Sequence, residues 1–128
     1  MKARREHVIP LPFQAVKMLR TLQGLTGHRQ HLFPGRDNPL GPMTSHSLRQ
    51  LLKSLGWSGI YSPHATRTTG STRLNEMGYR PDAIEGQLAH ADTNNVRRTY
   101  NHATYLDERK VMMQEWADML DKRVAGSE

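Results

Sequence analysis

Apolar residues return at helical spacing along most of this chain, and Gly or Pro stands where each run stops. "PFQAVKMLRTLQGL" sets Phe13, Val16, Leu19 and Leu22 or Leu25 on one face, with Pro12 suited to a first turn. Thr44 or Ser45 as N-cap and Leu48, Leu51, Leu52 and Leu55 predict a second helix, stopped by Gly56. A third is expected from near His64 to Gly78, a good C-cap residue. "RPDAIEGQLAH" predicts a short fourth, with Pro81 in its first turn and Ile84 and Leu88 buried. "ADTNNVRRTYNHA" reads as a capped turn leading into another short helix. In the tail, Leu106, Met112, Met113, Trp116, Met119 and Leu120 form one stripe. Asp107 and Glu108 come early and Lys122 and Arg123 late, matching the helix dipole.

One stretch has the period of a strand instead. "KARREHVIPL" alternates and is ended by Pro10, which predicts a short strand or the second half of an antiparallel hairpin cut off at its start. "TGHRQHLFPGRDNPLGP" is dense in turn formers and is expected to be a loop. The pattern therefore predicts a mainly α (α+β) fold, helical with a small N-terminal β hairpin. With no repeat, low-complexity tract or composition break, residues 1–128 are expected to form a single domain.

Composition narrows what such a domain does. The 128 residues are 36% hydrophobic, enough for one modest core. The chain has no cysteine, so a disulfide framework and a thiolate zinc site are excluded, and a reducing compartment such as the cytoplasm is natural. No apolar run approaches the roughly 20 residues of a membrane span. The net charge of +6 is unevenly placed: residues 1–75 carry eleven Lys and Arg against Glu6 and Asp37, and residues 76–128 carry seven against ten acids. A positive field of that kind suits a polyanion, most simply nucleic acid, as well as a plain solvated surface.

The candidate chemistry begins at "SPHATRTTGS". On a helix, His64 and Arg67 lie at i and i+3, where a guanidinium fork beside an imidazole suits a phosphate group. Taken alone this spacing is common and also fits a surface helix start. The order of the residues downstream is more specific. "QLAHADTNNVRRTYNHA" brings His90 after Gln-Leu-Ala, then Arg97 and Arg98, then Tyr100. His28 and His31 have metal-like spacing but lack a third ligand, and Asp82, Glu85 and Asp92 form no paired acids for a metal-dependent nuclease.

The ordered set of H-x-x-R, L-A-H and a downstream tyrosine resembles the C-terminal motif block of the tyrosine recombinases, the phage and prophage integrases. The stretch from "STRLNEMG" through "QLAHA" to "MMQEWADML" is similar in particular to the P4-like integrase subgroup. The resemblance runs from about Ser62 to Leu120. It implies a helical catalytic domain that recombines double-stranded DNA attachment sites through a 3′-phosphotyrosine intermediate, as a homotetramer in the full-length protein, in the cytoplasm of a bacterial host, with no cofactor. It implies Tyr100 as nucleophile, Arg67, His64 and His90 as phosphate-binding and proton-transfer groups, and Lys2, ahead of Pro10, as the hairpin lysine that protonates the leaving oxygen. Arg4, Arg5, Arg97 and Arg98 are expected DNA contacts. The family's first catalytic arginine lies upstream of that hairpin, so the chain is expected to be a piece of a longer integrase, inactive or nearly so alone.

Two alternatives stay open at this point. Tyr105, five residues after Tyr100, is a rival nucleophile, although its place at the start of an amphipathic helix favours packing; Tyr61 and Tyr79 read as packing or surface residues. The competing function is a non-catalytic DNA-binding module, with "GYRPDAIEGQLAH" read as part of a helix-turn-helix. The methionine and tryptophan stripe of the tail is expected to be core or a docking face for a neighbouring protomer.

Overall fold

The computed structural model describes residues 7–89 and 105–126. Those residues form five helices: α1 (Phe13–Thr26), α2 (Ser45–Ser54), α3 (Pro63–Glu76), α4 (Pro81–Leu88) and α5 (Leu106–Val124). Among the described residues there is no strand, and the one extended pairing is an isolated antiparallel bridge between Pro34 and Pro42. Of the predicted hairpin, His7–Pro12 is described and carries no strand. Pro10 and Pro12 remove the N–H donors from alternate positions, so no ladder extends through them. Residues 1–6 and the capped turn and short helix predicted within residues 91–103 lie outside the described residues.

The predicted helix ends have physical counterparts. The Thr44 side chain accepts from the Ser47 N–H at 3.2 Å, capping α2. Gly56 follows α2 with φ of 84°, and Gly78 follows α3 with φ of 87°. At Gly78 that conformation lets the Tyr79 N–H reach back to the Leu74 carbonyl at 3.1 Å, closing the helix in a Schellman-type turn. Pro81 stands at the first turn of α4.

Two compact units emerge, one made of Met1–Gln14 with Ser71–Glu128 and the other of Ala15–Gly70. The first holds the core. Leu74 from α3, Ala83 and Ile84 from α4 and Met112 from α5 are buried, with Tyr79, Leu88, Tyr105, Met113 and Trp116 packed around them. α4 lies against α5. In the same unit the N-terminus of α1 is tied to α5: the Phe13 N–H donates to Gln114 Oε1 at 2.9 Å, and Gln14 Nε2 donates to Asp118 Oδ1 at 2.8 Å. Hydrogen bonds from Gln14 and then Gln114 hold the Asp118 carboxyl below the usual carboxylate range.

Met112 has no exposed surface, so its truncation leaves a void that the flanking helices close only partly. Met112→Ala is expected to lower stability by about 2 to 5 kcal/mol, read from urea unfolding. A change below about 1 kcal/mol would mean that this cluster is not the core.

The second unit is built differently. None of its described residues is buried, and the stripe predicted for α2 is only half covered: Leu48 and Leu52 are partly buried, whereas Leu51 is 51% and Leu55 62% exposed.

Candidate active site

α3 presents the first pair of candidate residues. Ser62 sets up its first turn: the Ser62 side-chain oxygen accepts from the Ala65 N–H at 3.2 Å, and Pro63 occupies the first helical position. The approach to the helix is braced. Trp57 and Tyr61 meet edge to face with centroids 6.4 Å apart, and the Tyr61 hydroxyl donates to Thr66 Oγ1 at 2.8 Å. His64 and Arg67 are both exposed on this first stretch of helix, at the i and i+3 positions that share a face. No acidic residue lies in the first turn, so the partial positive charge of the helix end adds to the guanidinium. Together they favour an anion.

A groove opens beside this helix start. It is an open depression of about 360 Å³ between α2 and the Trp57–Pro63 lead-in, with His46, Arg49, Lys53, Trp57 and Tyr61 among its walls. His46, Arg49 and Lys53 fall on one side of α2 at i, i+3 and i+7, and Trp57 continues that direction after the helix ends. Two cations and two aromatic faces bordering one groove suit a nucleic-acid backbone. Sequence reasoning missed this set; the signal was present as the basic i, i+4 pair Arg49 and Lys53 with a tryptophan four residues further on.

The route to the next candidate is strained. Ala89 is the only non-glycine with positive φ among the described residues, at φ 51° and ψ 36°, and it caps α4 through a bond from its N–H to the Glu85 carbonyl. A left-handed alanine costs about 1 to 2 kcal/mol, and here it turns the chain immediately before His90.

His90, Arg97, Arg98, Tyr100, Lys2, Arg4 and Arg5 lie outside the described residues. The other three tyrosines are described, and each is engaged elsewhere. Tyr79 donates a hydrogen bond to the Glu115 carboxylate, and burial together with that carboxylate pushes its phenol up to about 12. Tyr105 packs against the core, with the Arg80 guanidinium 5.0 Å above its ring. Tyr61 is held by Thr66.

Among the described residues no three His, Cys, Asp or Glu are grouped to hold a metal ion, and no helix is long and apolar enough to cross a membrane.

Comparison with known proteins gives the same family as the motifs. The chain matches the phage integrase family over residues 1–107. It is 43% identical over 127 residues to prophage integrase IntA of Escherichia coli K12, covering 99% of this chain and 31% of that protein. It is 42% identical over 125 residues to the integrase of Shigella phage Sf6, covering 97% and 32%. With the integrase of Enterobacteria phage P4 the identity is 39% over 125 residues, covering 94% and 28%. The chain thus spans about a third of the length of the curated relatives it matches. No solved structure matches it.

Proposed function

The chain belongs to the phage integrase family, and from that premise we propose that residues 1–128 are catalytic-domain sequence of a tyrosine site-specific recombinase that cuts and rejoins double-stranded DNA. The observation that carries this reading is the exposed His64 and Arg67 pair on an acid-free helix start, succeeded in sequence by His90 and by Tyr100.

The proposed step is a transesterification. The Tyr100 phenolic oxygen attacks the scissile phosphorus, the P–O5′ bond breaks, and a 3′-phosphotyrosine forms while the 5′ strand leaves as a hydroxyl. His64 takes the phenolic proton and Lys2 donates one to the leaving oxygen, so protons balance. A phenol near its reference pKa of about 10 is scarcely ionised at neutral pH, which is why the attack needs a base and cations at hand. Arg67 and His90 hold the non-bridging oxygens as charge develops in the transition state. Rejoining is the same step reversed, with the bond energy kept in the phosphotyrosine link. The hairpin expected around Lys2 would carry that lysine, and Arg4, Arg5, Arg97 and Arg98 would contact DNA phosphates. Full-length action on attachment sites, as a homotetramer in the cytoplasm of a bacterial host, belongs to the same proposal.

The reading is tested by grafting the chain in place of the matching third of a full-length relative and incubating the protein with a nicked duplex that traps the covalent state. A protein–DNA adduct that survives denaturation supports the recombinase. Tight binding with no adduct would leave a DNA-binding module.

The groove beside α3 is proposed to track the DNA backbone. Arg49→Ala with Lys53→Ala is expected to weaken binding about equally on all sequences and to flatten the dependence of log K on log salt by about 2, one unit for each lost phosphate contact. An unchanged salt slope would remove these residues from the interface.

A further inference from the structure

Phosphates account for only half of the groove between α2 and the Trp57–Pro63 lead-in. Arg49 and Lys53 answer to an anion, but Trp57 and Tyr61 do not. Trp57 is held from both sides of its backbone: its N–H donates to the Leu52 carbonyl at 3.0 Å, and its own carbonyl accepts from the Ile60 and Tyr61 N–H groups, each at 3.1 Å. The Tyr61 ring meets it edge to face at 70°, with the Tyr61 hydroxyl tied to Thr66 at 2.8 Å. Rings at that angle do not stack on each other, and Trp57 remains 48% exposed. The groove thus has an indole fixed in place and half open to solvent.

The surroundings decide what such a ring can meet. None of the groove walls is acidic, and the sequence from Asn38 to Asn75 holds no Asp or Glu at all. The exposed Leu51 and Leu55 are not among the walls, so the groove is the cationic side of α2 and not its uncovered apolar stripe. An apolar peptide would leave Arg49 and Lys53 unanswered. A ligand that carries both a flat apolar ring and a negative charge answers both, and a nucleotide is such a ligand. The depression, about 360 Å³, lies at the low end of small-ligand sites and has the scale of a single nucleotide.

We propose that the groove binds an unpaired nucleotide of DNA, its base stacked on Trp57 and its phosphates held by Arg49 and Lys53. The inference rests on the reading of this groove as a DNA interface and narrows it. Within a duplex the bases cover one another's faces, so an aromatic ring finds a base face only where a nucleotide has left the stack. Cleavage as proposed above releases a 5′ end that can do so. Ser62 and Pro63 form part of the groove wall and lead directly into His64, which sets the stacking site beside the proposed phosphate site within one described stretch of chain.

A nicked duplex with a short unpaired 5′ flap, compared with the same duplex whose flap is abasic, isolates the base, because both flaps carry the same phosphates. The grafted integrase is titrated with each, and the ratio of the two affinities is the readout. Wild type is expected to favour the flap with bases by at least about fivefold. Trp57→Ala is expected to bring that ratio within about twofold of one, whatever it does to affinity for the plain duplex. Trp57→Phe keeps a smaller ring and is expected to retain a reduced preference; this variant and the wild-type ratio decide the matter should Trp57→Ala not fold. Arg49→Ala with Lys53→Ala is expected to weaken binding to both flaps alike and to leave the ratio in place.

A wild-type ratio within about twofold of one, or a preference that survives in Trp57→Ala, overturns the proposal. If the salt slope still falls in Arg49→Ala with Lys53→Ala, that failure leaves the groove as a backbone contact. A salt slope that does not change in that variant overturns the stacking site and the DNA reading of the groove together.

Discussion

Tyr100→Phe, introduced into a full-length integrase carrying this chain, is expected to abolish the covalent protein–DNA adduct while leaving DNA affinity within about twofold of wild type. Phenylalanine keeps the ring and removes only the attacking oxygen. Loss of a covalent nucleophile costs about 10⁶-fold in the rate of the chemical step. The three described tyrosines are engaged elsewhere, and the Tyr79 phenol, partly buried beside the Glu115 carboxylate, is raised to about 12. Denaturing gel electrophoresis of a trapped, nicked substrate reads the result directly. Adduct formation by Tyr100→Phe that disappears in Tyr105→Phe would transfer the nucleophile to the start of α5.

Arg67→Ala carries the second large expectation. The guanidinium offers two parallel donors to the non-bridging oxygens, and the interaction strengthens as negative charge gathers on them. Its removal is expected to lower the single-turnover cleavage rate by about 10²- to 10³-fold. Binding should suffer far less, because many other cations contact the backbone. Arg67→Lys restores charge without the fork and is expected to recover only part of the rate. A loss of affinity matching the loss of rate would make Arg67 an ordinary phosphate contact, since uniform binding leaves the chemical step unchanged.

α1, α2, α4 and α5 were legible from a periodic apolar face, α3 chiefly from the residues that bound it, and punctuation marked several ends: Thr44 before α2, Gly56 after it, Gly78 after α3, Pro81 at α4. The burial of Ile84 and Met112 came from the same periodicity. Periodicity was less informative where a helix lacks a neighbour to cover it, and Leu51 and Leu55 on α2 stay exposed for that reason. Alternation in "REHVIPL" suggested a strand, but a strand needs paired N–H groups, and none forms over His7–Pro12. Of the site, the motif order marked His64 and Arg67, and α3 sets both on one exposed stretch. Arg49 and Lys53 escaped notice because an i, i+4 basic pair is common on a surface helix, and their meeting with Trp57 and Tyr61 depends on the turn after α2. Arg109, wholly buried with its guanidinium donating to the Val8 carbonyl and the Gln87 side chain, was hidden among charged neighbours in "DERK", and burial of a cation is visible only once α4, α5 and the segment at Val8 are packed.

The most direct test of the catalytic reading is a crystal structure of the chain, within a full-length integrase, bound to nicked DNA and orthovanadate at the cleavage site. Vanadate bridging Tyr100 and the 5′ end, with Arg67, His64 and His90 within about 2.6 to 3.2 Å of its oxygens or of the tyrosine, is the expected result. His64 and Arg67 turned to a surface away from the vanadate would contradict it and leave the chain a DNA-binding module.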